Sequence, residues 1–281
     1  MKRIVTIQDI SCFGKCSLTV ALPVISAMGI ETAIIPTAVL STHTGGFKDF
    51  TFRDLTSDIT PIANHWKSFD LKFNGIYTGY LGSKEQINIV SDFFDSFKES
   101  DTKIIVDPVL GDNGRFYTGF DTDYAIEMKK LAGKADIIVP NLTETAFLLN
   151  IPYKESYTEK EVEALLVRLC ELGCSTAVIT GIRYQNKLQG AVAYDSESGR
   201  FYSSFAKHID RSFHGTGDIF SSVLSGASML TDDFQEALDT AVQFVYKCME
   251  ATLPIMDEHY YGAAFELCLG ELNSAAKKLQ V

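Results

Sequence analysis

Ile104-Ile105-Val106-Asp107-Pro108-Val109-Leu110-Gly111-Asp112 reads as a buried strand that runs into a carboxylate, a proline and a second carboxylate. Proline has no N–H and cannot continue the ladder of a central strand, so the chain is expected to leave the sheet at Asp107. An acid then stands at the carboxyl edge of the sheet. Ile137-Ile138-Val139-Pro140-Asn141-Leu142-Thr143-Glu144 repeats the arrangement, with Asn141 and Glu144 at the start of the following helix. Outward from these two stretches, short β-branched runs mark strands over residues 4–8, 33–40, 75–78, 103–107, 136–140 and 176–180. Amphipathic segments between them mark helices over 16–28, 84–98, 123–132 and 159–172. Strand then helix, repeated, argues for a parallel sheet with helices on both faces.

After residue 180 the pattern changes. Residues 189–194 and 200–205 flank Asp195-Ser196-Glu197-Ser198-Gly199 and read as an antiparallel hairpin, and helices are expected over 217–229, 233–251 and 260–278. There is no internal repeat, linker or compositional break, so residues 1–281 are expected to form one α/β domain. In open parallel sheets ligands bind beyond the carboxyl ends of the strands, which directs attention to the polar, glycine-rich segments there.

The 281 residues are 46% hydrophobic, enough for a sizeable core. The 36 acidic residues outnumber the 25 basic ones, a net charge of −11 that has the wrong sign for a dedicated nucleic-acid binder. No cluster of Lys or Arg marks an anion site. The basic N-terminus precedes too short an apolar run for a signal peptide, and no segment reaches the roughly 18 apolar residues of a membrane span, so a cytoplasmic protein is expected. Cys12, Cys16, Cys170, Cys174, Cys248 and Cys268 are then reduced thiols rather than a disulfide framework or a zinc site.

His214-Gly215-Thr216-Gly217-Asp218 directly precedes an apolar helical run. Its glycines let backbone approach a ligand, and the first N–H groups of the helix offer an anion site. Asp218 would stand beside that site as a base, a pairing suited to phosphoryl transfer, although a Gly-rich turn with a dipole-matching acid gives the same five residues. Asp107 and Glu144 offer the oxygen ligands that suit magnesium; equally, Asp-Pro is a common strand exit, and helix capping alone would account for Asn141 and Glu144. His43, in Ser41-Thr42-His43-Thr44-Gly45-Gly46, reads as a ligand contact rather than a core histidine, whereas Tyr80 in Thr78-Gly79-Tyr80-Leu81-Gly82-Ser83 suits packing equally well. Gly14-Lys15-Cys16-Ser17 is not a phosphate-binding loop, because position 9 is Asp where the motif needs Gly and Cys16 stands where it needs Ser or Thr. The apolar stripe of Phe265, Leu267, Leu269 and Leu272 reads as a packing face.

In this order, Ser-Thr-His-Thr-Gly at 41–45, Thr-Gly-Tyr-Leu-Gly-Ser at 78–83, Asp-Pro-Val-Leu-Gly-Asp at 107–112, Pro-Asn-Leu-Thr-Glu at 140–144 and Gly-Thr-Gly-Asp at 215–218 resemble segments of the ribokinase-like superfamily, in its branch of vitamin B6 kinases and hydroxymethylpyrimidine kinases. The resemblance implies a three-layer αβα sandwich with a mostly parallel central sheet and an antiparallel edge hairpin. It also implies ATP-dependent phosphorylation of a hydroxymethyl group on a pyridine ring, with Mg2+, commonly a monovalent cation (K+ or Na+), and a homodimer. Asp218 matches the catalytic base, with Gly215, Thr216 and Gly217 holding the developing charge. Asp107, Asn141 and Glu144 match positions around magnesium and the ATP phosphates, with Asp107 and Glu144 on the metal side. Asp112, Tyr117 and Thr180 match nucleotide contacts, under a covering loop from Gly111 to Asp121. Asp9, Cys16, His43, Thr44 and Tyr80 fall where the family holds the ring.

Two departures stand out. Pyridoxal kinases usually carry Ser where this chain has Asp9, so the polar contact to the ring differs and would accept a hydrogen bond from a ring hydroxyl or a cationic amine. Hydroxymethylpyrimidine kinases share the His before Gly-Thr-Gly, but they generally have Cys at the position of Asp218 and a Gly-Gly-Ala-Gly segment that is absent here. A B6-vitamer kinase is the expected function. The alternatives are a hydroxymethylpyrimidine kinase, a sugar or nucleoside kinase on the same fold, or a B6-binding regulatory protein without catalysis.

Overall fold

The computed structural model describes residues 1–184 and 187–280. Strand β1 (Arg3–Ser11), helix α1 (Leu18–Ala27), β2 (Glu31–Leu40), β3 (Phe52–Asp54), α2 (Thr56–Lys67), β4 (Gly75–Thr78), α3 (Lys84–Phe97) and β5 (Lys103–Val106) form the first part. A small hairpin, β6 (Gly111–Asp112) and β7 (Arg115–Phe116), leads to α4 (Thr122–Ala132), β8 (Ile137–Ile138), α5 (Leu142–Leu148) and α6 (Glu159–Cys170). Then come β9 (Thr176–Tyr184), β10 (Leu188–Asp195), β11 (Arg200–Lys207), α7 (Thr216–Leu230), α8 (Phe234–Thr252) and α9 (Leu269–Lys278).

Nine strands make one sheet in the order β11-β10-β9-β8-β5-β4-β1-β2-β3. The six strands from β9 to β2 run parallel, while β10–β11 at one edge and β3 at the other are antiparallel. Side chains alternate across the sheet as strand geometry requires. Ile104 and Val106 enter the core under α2 to α6, whereas Ile105 enters the core under α1, α7, α8 and α9. Helices thus cover both faces. Side-chain caps start many of them: Ser83 accepts from Gln86 N–H, Asp121 from Tyr124 N–H, and Thr158 and Glu161 form a capping box. Strand order reverses between β1 and β4, which sets the crevice beyond their carboxyl ends.

The structure differs from the expected elements in three places. The pair β3 and α2 was not marked by the sequence pattern, because α2 carries Pro61 in its interior and fully buries only Ile59. Within the expected covering loop, Asn113 and Gly114 both adopt positive φ, 50° and 73°, and close the β6–β7 hairpin as a two-residue turn. The last helix starts at Leu269 rather than residue 260. The chain before it is committed elsewhere: Tyr261 O accepts from Lys15 N–H and faces the His43 ring, and Ala263 N–H donates to His214 O.

Candidate active site

All fifteen side chains and backbone positions singled out above line one cleft of about 1620 Å³ at the carboxyl ends of the parallel strands. At one end Cys16 and Tyr80 feel the charge of Asp9, with His43 and Thr44 lining the same cleft; at the other Tyr117 feels Glu144 and Asp112, and Asn141 bridges to Thr180. Gly215 to Asp218 lie between them, with Asp107 and Glu144. The strand exits do the gathering. β5 ends at Val106, one residue earlier than expected; Asp107 N–H still donates to Thr78 O of β4 at 2.9 Å, and the chain leaves the sheet at Pro108.

Helix α7 enters the cleft with Gly215 as its N-cap in the left-handed conformation and no side-chain cap. The N–H groups of its first turn are therefore uncovered at the positive end of a 15-residue helix. Asp218 is the third residue of that turn. Burial, reinforced by the negative charges of Asp107 and Asp9, pushes its carboxyl up to about 8, while the Ser17 backbone N–H opposes the shift. Burial lifts Asp107 to about 6 against a hydroxyl bond from Ser221 Oγ to its Oδ2, 2.8 Å long. Burial and the charge of Asp107 also hold Glu144 well above the usual carboxyl value, although three backbone N–H groups favour its charged form.

Asn141 and Glu144 do form a capping box on α5, and they do more than cap. Asn141 Oδ1 accepts from Glu144 N–H at 2.9 Å, and Glu144 Oε2 accepts from Asn141 N–H at 2.8 Å. Glu144 Oε1 also takes Leu110 N–H at 3.1 Å, and Asn141 Nδ2 donates to Gly111 O at 3.0 Å. The two residues thereby tie the end of β8 to the segment leaving β5. Among the described residues no group of three or more His, Cys, Asp or Glu side chains gathers to hold a metal alone. Asp107 and Glu144 offer hard oxygen donors short of a full shell, which fits magnesium, since that ion keeps waters and takes one or two carboxylates beside substrate phosphates.

At the other end, Cys16 lies outside α1 and its thiol is raised well above the usual value by burial and by the charges of Asp218 and Asp9. It stays protonated, facing Asp218. His43 differs from the expectation of a free ligand contact. It is 4% exposed, its Nδ1 accepts from Gly45 N–H, and its Nε2 therefore carries the proton and donates to Tyr261 O at 2.9 Å. With His43 N–H on Phe13 O, it clamps three loops together, and its ring lies against those of Phe47 and His214, each 5.0 Å away. Tyr80 stacks on Phe120 at 5.5 Å, and burial pushes its phenol up to about 12. Thr44 is exposed at the mouth.

A family model described as phosphomethylpyrimidine kinase matches residues 19–262. The chain belongs to that family, within the ribokinase-like superfamily. It is similar to a Bacteroides thetaiotaomicron protein crystallised with pyridoxal, at 40% identity and a TM-score of 0.92, over 97% of this chain and 96% of the other. The pyridoxal kinase of Lactobacillus plantarum is 31% identical, with a TM-score of 0.89, over 99% and 98% of the two chains. The pyridoxal kinase of Dictyostelium discoideum is 25% identical over 89% of this chain and 86% of its own length. The nine-stranded sheet with its edge hairpin is thus the family's architecture.

Basic side chains complete this family member's cleft in a way the sequence hid. Arg183, Lys207 and Arg211 all line it. They are separated along the chain, but β10 brings the first two together, because Gln189 pairs with Arg183 and Leu188 with Lys207. Val242, Val245 and Met249, from α8, add an apolar wall, and Phe50 and Phe52 come with the unexpected β3. Replacement of Asn141 by Ala is expected to cost about 1–2 kcal/mol, a fall in Tm of roughly 2–6 °C by thermal unfolding, because it removes both the cap and the tie to Gly111. An unchanged Tm would show that Glu144 alone holds the junction.

Proposed function

We propose that the protein is an ATP-dependent kinase of the 5′-hydroxymethyl group of a B6 vitamer, pyridoxal, pyridoxine or pyridoxamine. The observation that carries this reading is that Asp218 stands beside the uncovered first turn of α7 in a cleft that Arg183, Lys207 and Arg211 also line. Its likeness to pyridoxal kinases supports the choice of substrate. In the reaction, Asp218 accepts the proton of the substrate hydroxyl as that oxygen bonds to the γ-phosphorus. The bond from phosphorus to the β–γ bridging oxygen breaks, and ADP leaves with the electron pair. Backbone N–H groups at Gly215, Thr216 and Gly217 hold the charge that develops on the transferred group, where low dielectric makes them effective. Asp107 and Glu144 would hold magnesium, which supplies positive charge to the phosphate oxygens. Asp112, Tyr117, Thr180 and the Asn113–Gly114 hairpin would border the nucleotide, while His43 keeps the loops around the ring in place.

A second reading, a hydroxymethylpyrimidine kinase, is favoured by the family model and by His214 before Gly-Thr-Gly. One assay separates the two: kcat/KM for pyridoxal, pyridoxine, pyridoxamine and hydroxymethylpyrimidine with ATP and magnesium. At least one vitamer should be phosphorylated with the highest value, and EDTA should abolish turnover until magnesium is added back. Preference for the pyrimidine would install the second reading, and phosphorylation of a sugar in place of every ring substrate would remove both.

A further inference from the structure

The ring end of the cleft holds a buried carboxyl that has no ion-pair partner among the described residues. Asp9 is 4% exposed and lines the cleft. The β1–β2 register slips there, passing from Gln8↔Pro36 to Ile10↔Val39, so that Asp9 on β1 stands opposite two residues of β2, Thr37 and Ala38. Ser11 Oγ donates to its Oδ2 at 3.0 Å, and the Ser17 hydroxyl also faces it. Among the described residues no Lys, Arg or His forms an ion pair with it. The neighbouring His43 has both ring nitrogens engaged by backbone, Nδ1 with Gly45 N–H and Nε2 with Tyr261 O, so neither is directed at Asp9. Asp218 lies near enough to repel Asp9, and both act on Cys16 between them.

We propose that Asp9 is a specificity-determining residue that pairs with an ammonium group on the substrate ring, so that the preferred vitamer is the aminomethyl form, pyridoxamine. This rests on the B6-kinase reading. On the vitamer ring the 4′ substituent and the 5′-hydroxymethyl arm occupy adjacent carbons. With the hydroxyl at Asp218, an ammonium on the neighbouring arm would reach the carboxyl whose charge Asp218 feels. A serine at this place donates or accepts and treats an amine, an alcohol and an aldehyde nearly alike. A carboxylate only accepts, and a desolvated one with no protein cation gains most from a ligand that brings the positive charge. The two hydroxyls of Ser11 and Ser17 hold it in place without neutralising it.

The test compares kcat/KM of the wild-type chain and of Asp9→Asn and Asp9→Ser on pyridoxamine, pyridoxal and 4-deoxypyridoxine, whose 4′ position is an uncharged methyl. Wild-type protein should favour pyridoxamine over 4-deoxypyridoxine by at least about tenfold, the scale of a hydrogen bond to a charged group. Asp9→Asn should lower the pyridoxamine-to-pyridoxal ratio by about 10–100-fold, mainly through the KM of pyridoxamine. The wild-type comparison stands even where a variant fails to fold. Turnover with a flat preference in the wild type, or a ratio that survives Asp9→Asn, overturns the assignment of Asp9 and leaves the kinase reading intact. Absence of turnover with every vitamer overturns the kinase reading and this inference together.

Discussion

Asp218→Asn is expected to lower kcat by about 10²–10⁴ while raising the stability of the ligand-free protein at pH 8 and above. In the proposed reaction the activity loss follows from removing the group assigned to take the substrate proton, since Asn fills the same space and cannot accept one. The stability gain follows from the same burial that makes the base. Asp218 rises from an ordinary 3.8 to about 8 in the fold, because it is desolvated and faces Asp107 and Asp9. A carboxyl whose folded value lies above its unfolded one favours folding most fully below about 4, and that contribution is lost as the pH climbs through about 8. The neutral amide has no such dependence, so the advantage of the variant should grow between pH 4 and pH 8 to about 1–2 kcal/mol, roughly 2–6 °C in Tm. Opposite signs in the two measurements separate loss of a base from damage to the fold. In the wild type, kcat/KM should fall on the acid side with apparent values between the 6 of Asp107 and the 8 of Asp218, which belong to the cluster rather than to either residue. A variant that kept its turnover would transfer the role of base to another group, and one that lost both activity and Tm would make Asp218 structural.

The parts of this arrangement that were legible in the sequence are those where one local feature has one structural meaning. Asp107-Pro108 had to leave the sheet because proline cannot extend a central ladder, and it does. Gly215-Thr216-Gly217 before an apolar helix had to expose N–H groups, and Gly215 is the uncapped N-cap. What escaped depends on tertiary pairing. Arg183 and Lys207 carry no local sign of convergence, because the register of β9, β10 and β11 is what assembles them, and Arg211 joins them from the segment after β11. His43 looked like a ligand contact on the strength of its hydroxyl-rich loop; its role as a clamp is set by Tyr261, 218 residues away. The helix expected from residue 260 was a fair reading of an apolar stripe. Its first part is irregular because its backbone groups are taken by Lys15, His43 and His214 around the ring site.

Gly215→Ala should be as damaging to turnover as loss of one anion-hole donor, about 10²–10³ in kcat, and should also lower Tm. Gly215 has φ of 77°, and a Cβ on it would lie 1.7 Å from the carbonyl oxygen of Lys15. A methyl there must displace either the first turn of α7 or the backbone of the Lys15-Cys16-Ser17 loop. Both moves reach the reacting centre, because the Ser17 N–H faces the Asp218 carboxylate and Cys16 lies against it. The left-handed conformation adds about 1–2 kcal/mol of strain for any residue with a side chain. Gly217→Ala is the informative control. A Cβ at Gly217 meets nothing within 4 Å, and alanine is the better helix former inside α7, so its Tm should hold or rise by about 1–3 °C. Gly217 nevertheless borders the cleft, where a methyl would hold a phosphate oxygen away from the N–H groups. A Gly217→Ala protein that keeps its Tm and loses turnover would therefore locate the transferred phosphoryl group against this turn. Full activity in both alanine variants would mean that the charge of the transferred group is held elsewhere in the cleft, with Arg183, Lys207 and Arg211 as the side chains to replace next.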